Sequence, residues 1–222
     1  MKGKQLVTVL ASIIVTIFII FLGNMSSAHE EQMDQREPVC LKEYPADPSL
    51  FKEYVSPHVV KIIERHGLEE WKAVILTNEL HRHLGMWSII GAKMGIRARE
   101  VLKAPFDQID VISFCGYEPP FSCTNDGIQV STGASLGRAT ITNTHLGQPE
   151  AIFIHEGKRL LLRVKPEVKK KIGKVIKELS DQYGFRSKKY FQELDKISVI
   201  YWYEWSRDQI FDEFLLDMEI VR

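Results

Sequence analysis

Three side chains in this sequence have the types and spacing for metal or nucleophile chemistry: His81, His83 and Cys123. The histidines stand two apart at the head of "HRHLGMWSIIGAKMG", residues 81–95, which turns apolar and glycine-punctuated at once. Two imidazoles at that spacing diverge by about 200° on a helix but point the same way on an extended chain. Gly85 just downstream permits an extended lead-in. Taken alone, the pair reads as surface or capping histidines, with metal ligation as the alternative. Cys123 lies in "SCTNDG", among residues that cap helices, so it falls at or just before a helix N-terminus. That position favours thiolate, the form that binds metal or attacks an electrophile; the alternative is a small buried cysteine beside a cap. A third stretch, "STGASLGRAT", joins Gly133 and Gly137 to Ser131, Thr132 and Ser135. It reads as a tight turn before a sheet, or else as an anion-holding turn, and it lacks both the phosphate-loop lysine pattern and a dinucleotide fingerprint.

The elements that must position these residues can be read from periodicity. "SPHVVKIIERHG" predicts a short helix stopped by Gly67, and "LEEWKAVILTNELH" a second with acids in its first turn. From Leu84 onward, Trp87, Gly91, Met94, Ala98 and Val101 mark a buried helix face ending at Lys103-Ala104-Pro105. Gly91 and Gly95 lie one turn apart there, each costing about 1 kcal/mol relative to alanine, which implies close approach of another backbone or of a ligand. "DVISF" is a strand, "DGIQVSTGASLG" a short helix running into a turn, and "RATITNT", "EAIFIHE" and "KRLLLRV" predict an antiparallel meander. Helices follow over Val168–Tyr183 and from about Lys188 to Trp205. Ser206 and Gln209 have capping-box spacing, and "FLLDMEIV" returns as an edge strand. Helices, sheet, helices is the order of an α+β fold: one domain, with an antiparallel sheet packed with helices on one side.

The 222 residues suit one domain with a good-sized core. Lys and Arg (29) balance Asp and Glu (29), so no global basic field points to nucleic acid. The run Lys169-Lys170-Lys171 reads as a solvated helix face. Lys2 and Lys4 precede an uncharged apolar run from Leu6 to Leu22, and Ser26 and Ala28 follow at cleavage-site spacing. Residues 1–28 are therefore expected to be a signal peptide or a membrane anchor, residues 29–48 a linker and residues 49–222 the domain, placed outside the cytoplasm. Three cysteines without any C-x-x-C exclude zinc-ribbon and thioredoxin-like sites, and the odd number leaves one thiol unpaired, liganded or intermolecular.

Taken together, "H-R-H-L-G-M-W-x-x-x-G-x-x-x-G", then "S-C-T-N-D-G-I-Q-V-S-T-G-A-S-L-G-R-A-T" about forty residues on, then "LGQPEAIFI", resemble the formylmethanofuran dehydrogenase E-subunit family. The likeness covers roughly residues 70–165 and extends more loosely to "SRDQIFDEFLLDMEIV". It implies an α+β core with a metal, zinc or another divalent transition metal, held by His81, His83 and Cys123. It also implies Asp126 as a proton-handling or supporting group, and Gln129 and Thr132 along a cavity. Trp87, Gly91 and Gly95 would form its flat wall, and a homodimer is a further expectation from the family. Gly85 and Ala134 stand where the family pattern has cysteines, and the cysteine-rich zinc module that often follows the core is not expected here. Two imidazoles and one thiolate leave a coordination position open, suiting a small-molecule ligand or substrate. A catalytic role would use the metal as Lewis acid or water activator with Asp126 as acid/base. The alternative is a non-catalytic carrier for a metal chelate or planar organic cofactor. A third reading makes the metal a fold staple, with "YWYEW" meeting partners.

Overall fold

The computed structural model describes residues 40–216, so the expectations for residues 1–28 and for most of the linker lie outside the described residues. The described tail of that linker is docked rather than free: Trp71 Nε1 donates to Pro45 O at 2.9 Å, and Lys72 sits over the Tyr44 ring. Asp47 caps a 3-10 turn at Pro48–Leu50.

Seven helices and five strands follow: α1 (Val59–His66), α2 (Leu68–His81), α3 (Met86–Leu102), β1 (Asp110–Ser113), α4 (Thr124–Thr132), β2 (Ile141–Asn143), β3 (Glu150–His155), β4 (Lys158–Val164), α5 (Pro166–Tyr183), α6 (Lys188–Glu204), α7 (Arg207–Ile210) and β5 (Phe211–Leu216). Gly67 at φ 87° ends α1 and Gly184 at φ 80° ends α5, as their spacing predicts. The Ser206/Gln209 capping box forms, and β5 is an edge strand that begins three residues earlier than expected, while residues 217–221 of the expected strand lie outside the described residues. Among the described residues, no helix is long and apolar enough to cross a membrane.

The sheet order is β2-β1-β3-β4-β5, which corrects the simple meander. β1 lies between β2 and β3, parallel to the first and antiparallel to the second, so the sheet is mixed and mostly antiparallel. The cause lies beyond β2, where the chain crosses the end of β1 instead of turning back on itself. Thr144 N donates to Ser113 O at 2.9 Å, Gln148 N to Phe114 O at 2.7 Å, and Gly116 meets Gly147 backbone to backbone. β3 and β4 alternate buried with partly exposed residues, so one face (Ala151, Phe153, Leu160, Leu162, Val164) enters the core with α3, α4, α5 and α6.

α3 is the central element. Nearly all its residues are buried, the pattern of a helix covered all round. One side meets the sheet core and the other a helical cluster in which Trp71 and Trp202 stack at 5.1 Å. The glycines explain its closeness to α4. A Cβ on Gly91 would stand 2.0 Å from Thr124 O, one on Gly95 2.0 Å from Ser131 Oγ, and one on Gly127 2.2 Å from both Ala92 N and Ser88 O. Of the two readings open for Gly91 and Gly95, backbone approach is the one realised. Neither glycine is a ligand wall, because α4 fills the space in front of both.

Candidate functional site

The close seam between α3 and α4 brings Cys123, at the N-cap of α4, to the end of α3 where the histidine pair sits. His81 is the last residue of α2, and Arg82 takes a left-handed conformation (φ 68°) that ends the helix. This reversal, rather than an extended lead-in, turns both imidazoles the same way; their ring centroids are 4.3 Å apart. Two side chains invisible to motif reading hold the connector. Asn78 Oδ1 accepts from Gly85 N (3.1 Å) and Ser88 Oγ (2.7 Å), and Asp195 Oδ1 accepts from Leu84 N (2.9 Å) while Tyr54 OH donates to its other oxygen (3.0 Å).

His81 is bound on one side only. Its Nδ1 shares a proton with Asp126 Oδ2 at 2.8 Å, whereas Nε2 is buried and has no hydrogen-bond partner. The carboxylate at Nδ1, with the Cys123 sulfur adding to it, raises the imidazolium pKa to about 9 against the cost of burial. His83 moves the opposite way: burial, then the neighbouring His81 charge, lower it, and its ring packs against Phe191 at 5.0 Å. A Cβ on Gly85 would lie 3.2 Å from His83 Nε2 and 3.4 Å from His81 Nε2, so both nitrogens border one small space that glycine leaves open. A cysteine at this position would project into that space.

His81, His83, Gly85, Trp87 and Cys123 line one cavity of about 330 Å³, at the lower end of small-molecule sites. Its far wall comes from the α5–α6 turn and the start of α6, with Phe185, Arg186, Tyr190 and Phe191, and from the cis-linked Pro119-Pro120 pair. Motif reading missed this wall, since aromatic residues at helical spacing carry no signature of a binding site. Trp87 lies edge-on to Phe121, with its indole Nε1 buried and without an acceptor.

The other expected residues fall elsewhere. Asp126 is not among the residues lining the cavity, and its carboxylate engages His81 Nδ1 instead. Gln129 Oε1 accepts from Leu136 N, and Thr132 Oγ1 donates to Ile128 O while accepting from Ala134 N, so neither borders the cavity. "STGASLG" closes on itself in the same way, with Ser131 Oγ donating to Gly127 O and Ser135 N to Thr140 Oγ1. It is a turn, not an anion cradle. Cys115 is buried and its thiol is pushed up to about 11 by desolvation, leaving Cys123 as the thiol at the site. Among the described residues, no three His, Cys, Asp or Glu side chains stand preset in metal-holding geometry. His81 Nε2 is nevertheless buried without a partner, and His83 and Cys123 line the same cavity as His81.

The stretch from the histidine pair through the sheet to β5 also matches a known family model, described as FmdE, molybdenum formylmethanofuran dehydrogenase operon, over residues 80–212. That is more than half of the chain. The chain belongs to the FmdE family. Among solved structures it is similar to a tungsten formylmethanofuran dehydrogenase FmdE-like protein from Syntrophus aciditrophicus, with 17% identity, a TM-score of 0.39, and coverage of 80% of this chain and 79% of that one. No curated protein matches significantly. The FmdE match begins at Leu80, one residue before the paired histidines, and includes Cys123, Asp126 and the aromatic wall of the cavity.

Proposed function

We propose that this FmdE-family chain is an extracytoplasmic metal-binding domain that holds zinc, or another divalent transition metal, through His81, His83 and Cys123. A small ligand occupies the adjoining cavity. The observation that carries the reading is the state of His81: Nδ1 fixed by Asp126, Nε2 buried and unpartnered beside His83 and Cys123. A carboxylate on the outer nitrogen of an imidazole fixes its tautomer and makes the inner nitrogen a better ligand. Two neutral imidazoles and a thiolate suit zinc and leave one position for water or ligand, where the ion supplies Lewis acidity. The site outside the cytoplasm follows from Lys2 and Lys4 ahead of the apolar run at residues 6–22.

The alternative, a non-catalytic carrier, draws support from the cavity lining. None of the residues around the cavity is acidic, and Asp126 is engaged with His81, so no carboxylate faces the ligand as a general base. Asp126 is a positioning residue in this account. Purified full-length protein should contain one zinc per chain by elemental analysis, and the His81→Ala, Cys123→Ala double variant should lose it. Equal zinc in both proteins sinks the proposal.

A further inference from the structure

The cavity that the histidines line also carries one arginine, Arg186. The turn between α5 and α6, "GFRS", reverses through Gly184 (φ 80°) and Arg186 (φ 60°), and Ser187 then caps α6 by accepting from Tyr190 N at 3.0 Å. This turn sets the exposed side chains of Phe185 and Arg186 at the cavity, with the guanidinium over the Phe185 ring at 5.2 Å. Among the described arginines, Arg97 pairs with Glu213, Arg138 with Asp107, Arg163 with Glu150 and Arg207 with Glu70 and Glu100, whereas Arg65 reaches the backbone carbonyl of Glu204. Arg186 has no carboxylate partner among the described residues, and no acidic residue lines the cavity with it. The remaining lining is mostly apolar and aromatic, including Met86, Trp87, Phe191 and Leu194.

We infer that the cavity selects small organic carboxylates, with an apolar or planar body against the Trp87 and Phe191 side and the carboxylate paired with Arg186. The inference rests on the ligand cavity of the function proposed above, but not on which metal is bound there. Three observations converge on it. A guanidinium presents its donors in a fork that matches a carboxylate, and among the described residues none claims this one. A divalent ion held as proposed above by two neutral imidazoles and one thiolate would add a net positive charge to the cavity that Arg186 lines, so the cavity would repel cations and favour anions. The apolar and aromatic lining offers surface to the body of such a ligand, while the exposed guanidinium is free to meet its carboxylate. A neutral ligand of the same shape would bury the walls equally well while leaving Arg186 unmatched, so discrimination should lie in the charge.

The test is isothermal titration of the full-length protein with 2-naphthoate and with its neutral counterpart 2-naphthamide, in zinc-loaded and chelator-treated samples, with zinc content measured in parallel. Naphthoate is expected to bind about tenfold or more tighter than the amide, the scale of one charge-assisted hydrogen-bonded pair. Arg186→Gln should bring the two within about twofold while zinc content stays unchanged, and Arg186→Lys should restore part of the preference. The inference is overturned by equal binding of the two probes to the unaltered protein, by a preference that survives in Arg186→Gln (which would place the carboxylate on the metal), or by no binding of either probe at millimolar concentration. Zinc-free protein that still prefers naphthoate through Arg186 would count against the metal reading and leave this one standing. Zinc-loaded protein without the preference would do the reverse.

Discussion

Two clusters of ionisable side chains lie within this domain, and they are built on opposite plans. Around Glu70 everything is matched. Lys93 Nζ donates to Glu70 Oε1 at 2.6 Å and to Trp205 O at 2.8 Å, Trp202 Nε1 donates to the same carboxylate oxygen at 3.0 Å, and Arg207 bonds the other oxygen. Glu70 and Lys93 are 0% and 1% exposed, and Arg207 continues outward to Glu100 at 2.7 Å. Around His81 the matching is one-sided: a carboxylate behind, an unpartnered nitrogen in front, and a cavity beyond. Each donor in a closed network makes the fold more specific, and the network has no valence left for a ligand. The open cluster has that valence. The first ties α2, α3 and α7 together; the second is where binding chemistry can occur.

The contrast can be broken most forcefully at Glu70. Glu70→Ala strands the Lys93 ammonium, which burial already pushes down to about 8, and should cost about 3–5 kcal/mol in urea unfolding. A loss under 1 kcal/mol would mean that the cluster is not holding the helices. The seam between α3 and α4 comes next. Gly127→Ala forces a Cβ to within 2.2 Å of the α3 backbone, and overpacking of this kind costs about 1–3 kcal/mol. Because α4 carries Cys123, zinc affinity should weaken along with stability. His81→Ala should cost the metal-free protein less than Glu70→Ala, since its Asp126 partner remains open to water, and yet abolish zinc binding. Near-equal stability losses in Glu70→Ala and His81→Ala would erase the distinction drawn here.

The smallest effect is in pH. In the metal-free protein His81 holds its proton up to about 9, so zinc must displace that proton. The sign is fixed: apparent affinity rises with pH from 6.5 towards 9 and levels off above it. Asp126→Asn, which removes the charge that raises His81, should shift the plateau to lower pH and weaken binding there by about 10–100-fold. Competition with a chromophoric chelator across this range measures both, and a flat profile would dissociate His81 from the metal.

What could be read in the sequence was local. Gly67, Gly184 and the Ser206/Gln209 box fix helix ends through short-range geometry, and the alternation of "EAIFIHE" and "KRLLLRV" fixes two strands and their inward face. What could not be read was non-local. β1 enters the sheet between β2 and β3 because a loop crosses its end, and that loop has no periodicity to betray it. Gly91 and Gly95 signal close approach, but only the fold says that the neighbour is α4. The paired histidines announce a site. Asn78 acts locally, on Gly85 seven positions on, but carries no motif, and Asp195 and the Phe185–Arg186 turn are ordinary residues until elements about one hundred positions apart are packed together.

The central claim is that His81, His83 and Cys123 converge on one ion with a position to spare. Zinc-edge X-ray absorption of the zinc-loaded full-length protein tests it most directly. The expected shell holds one sulfur at about 2.3 Å, two imidazole nitrogens at about 2.0–2.1 Å and one further light atom that exchanges with added ligand. A shell without sulfur, or one unchanged in the Cys123→Ala variant, would contradict it.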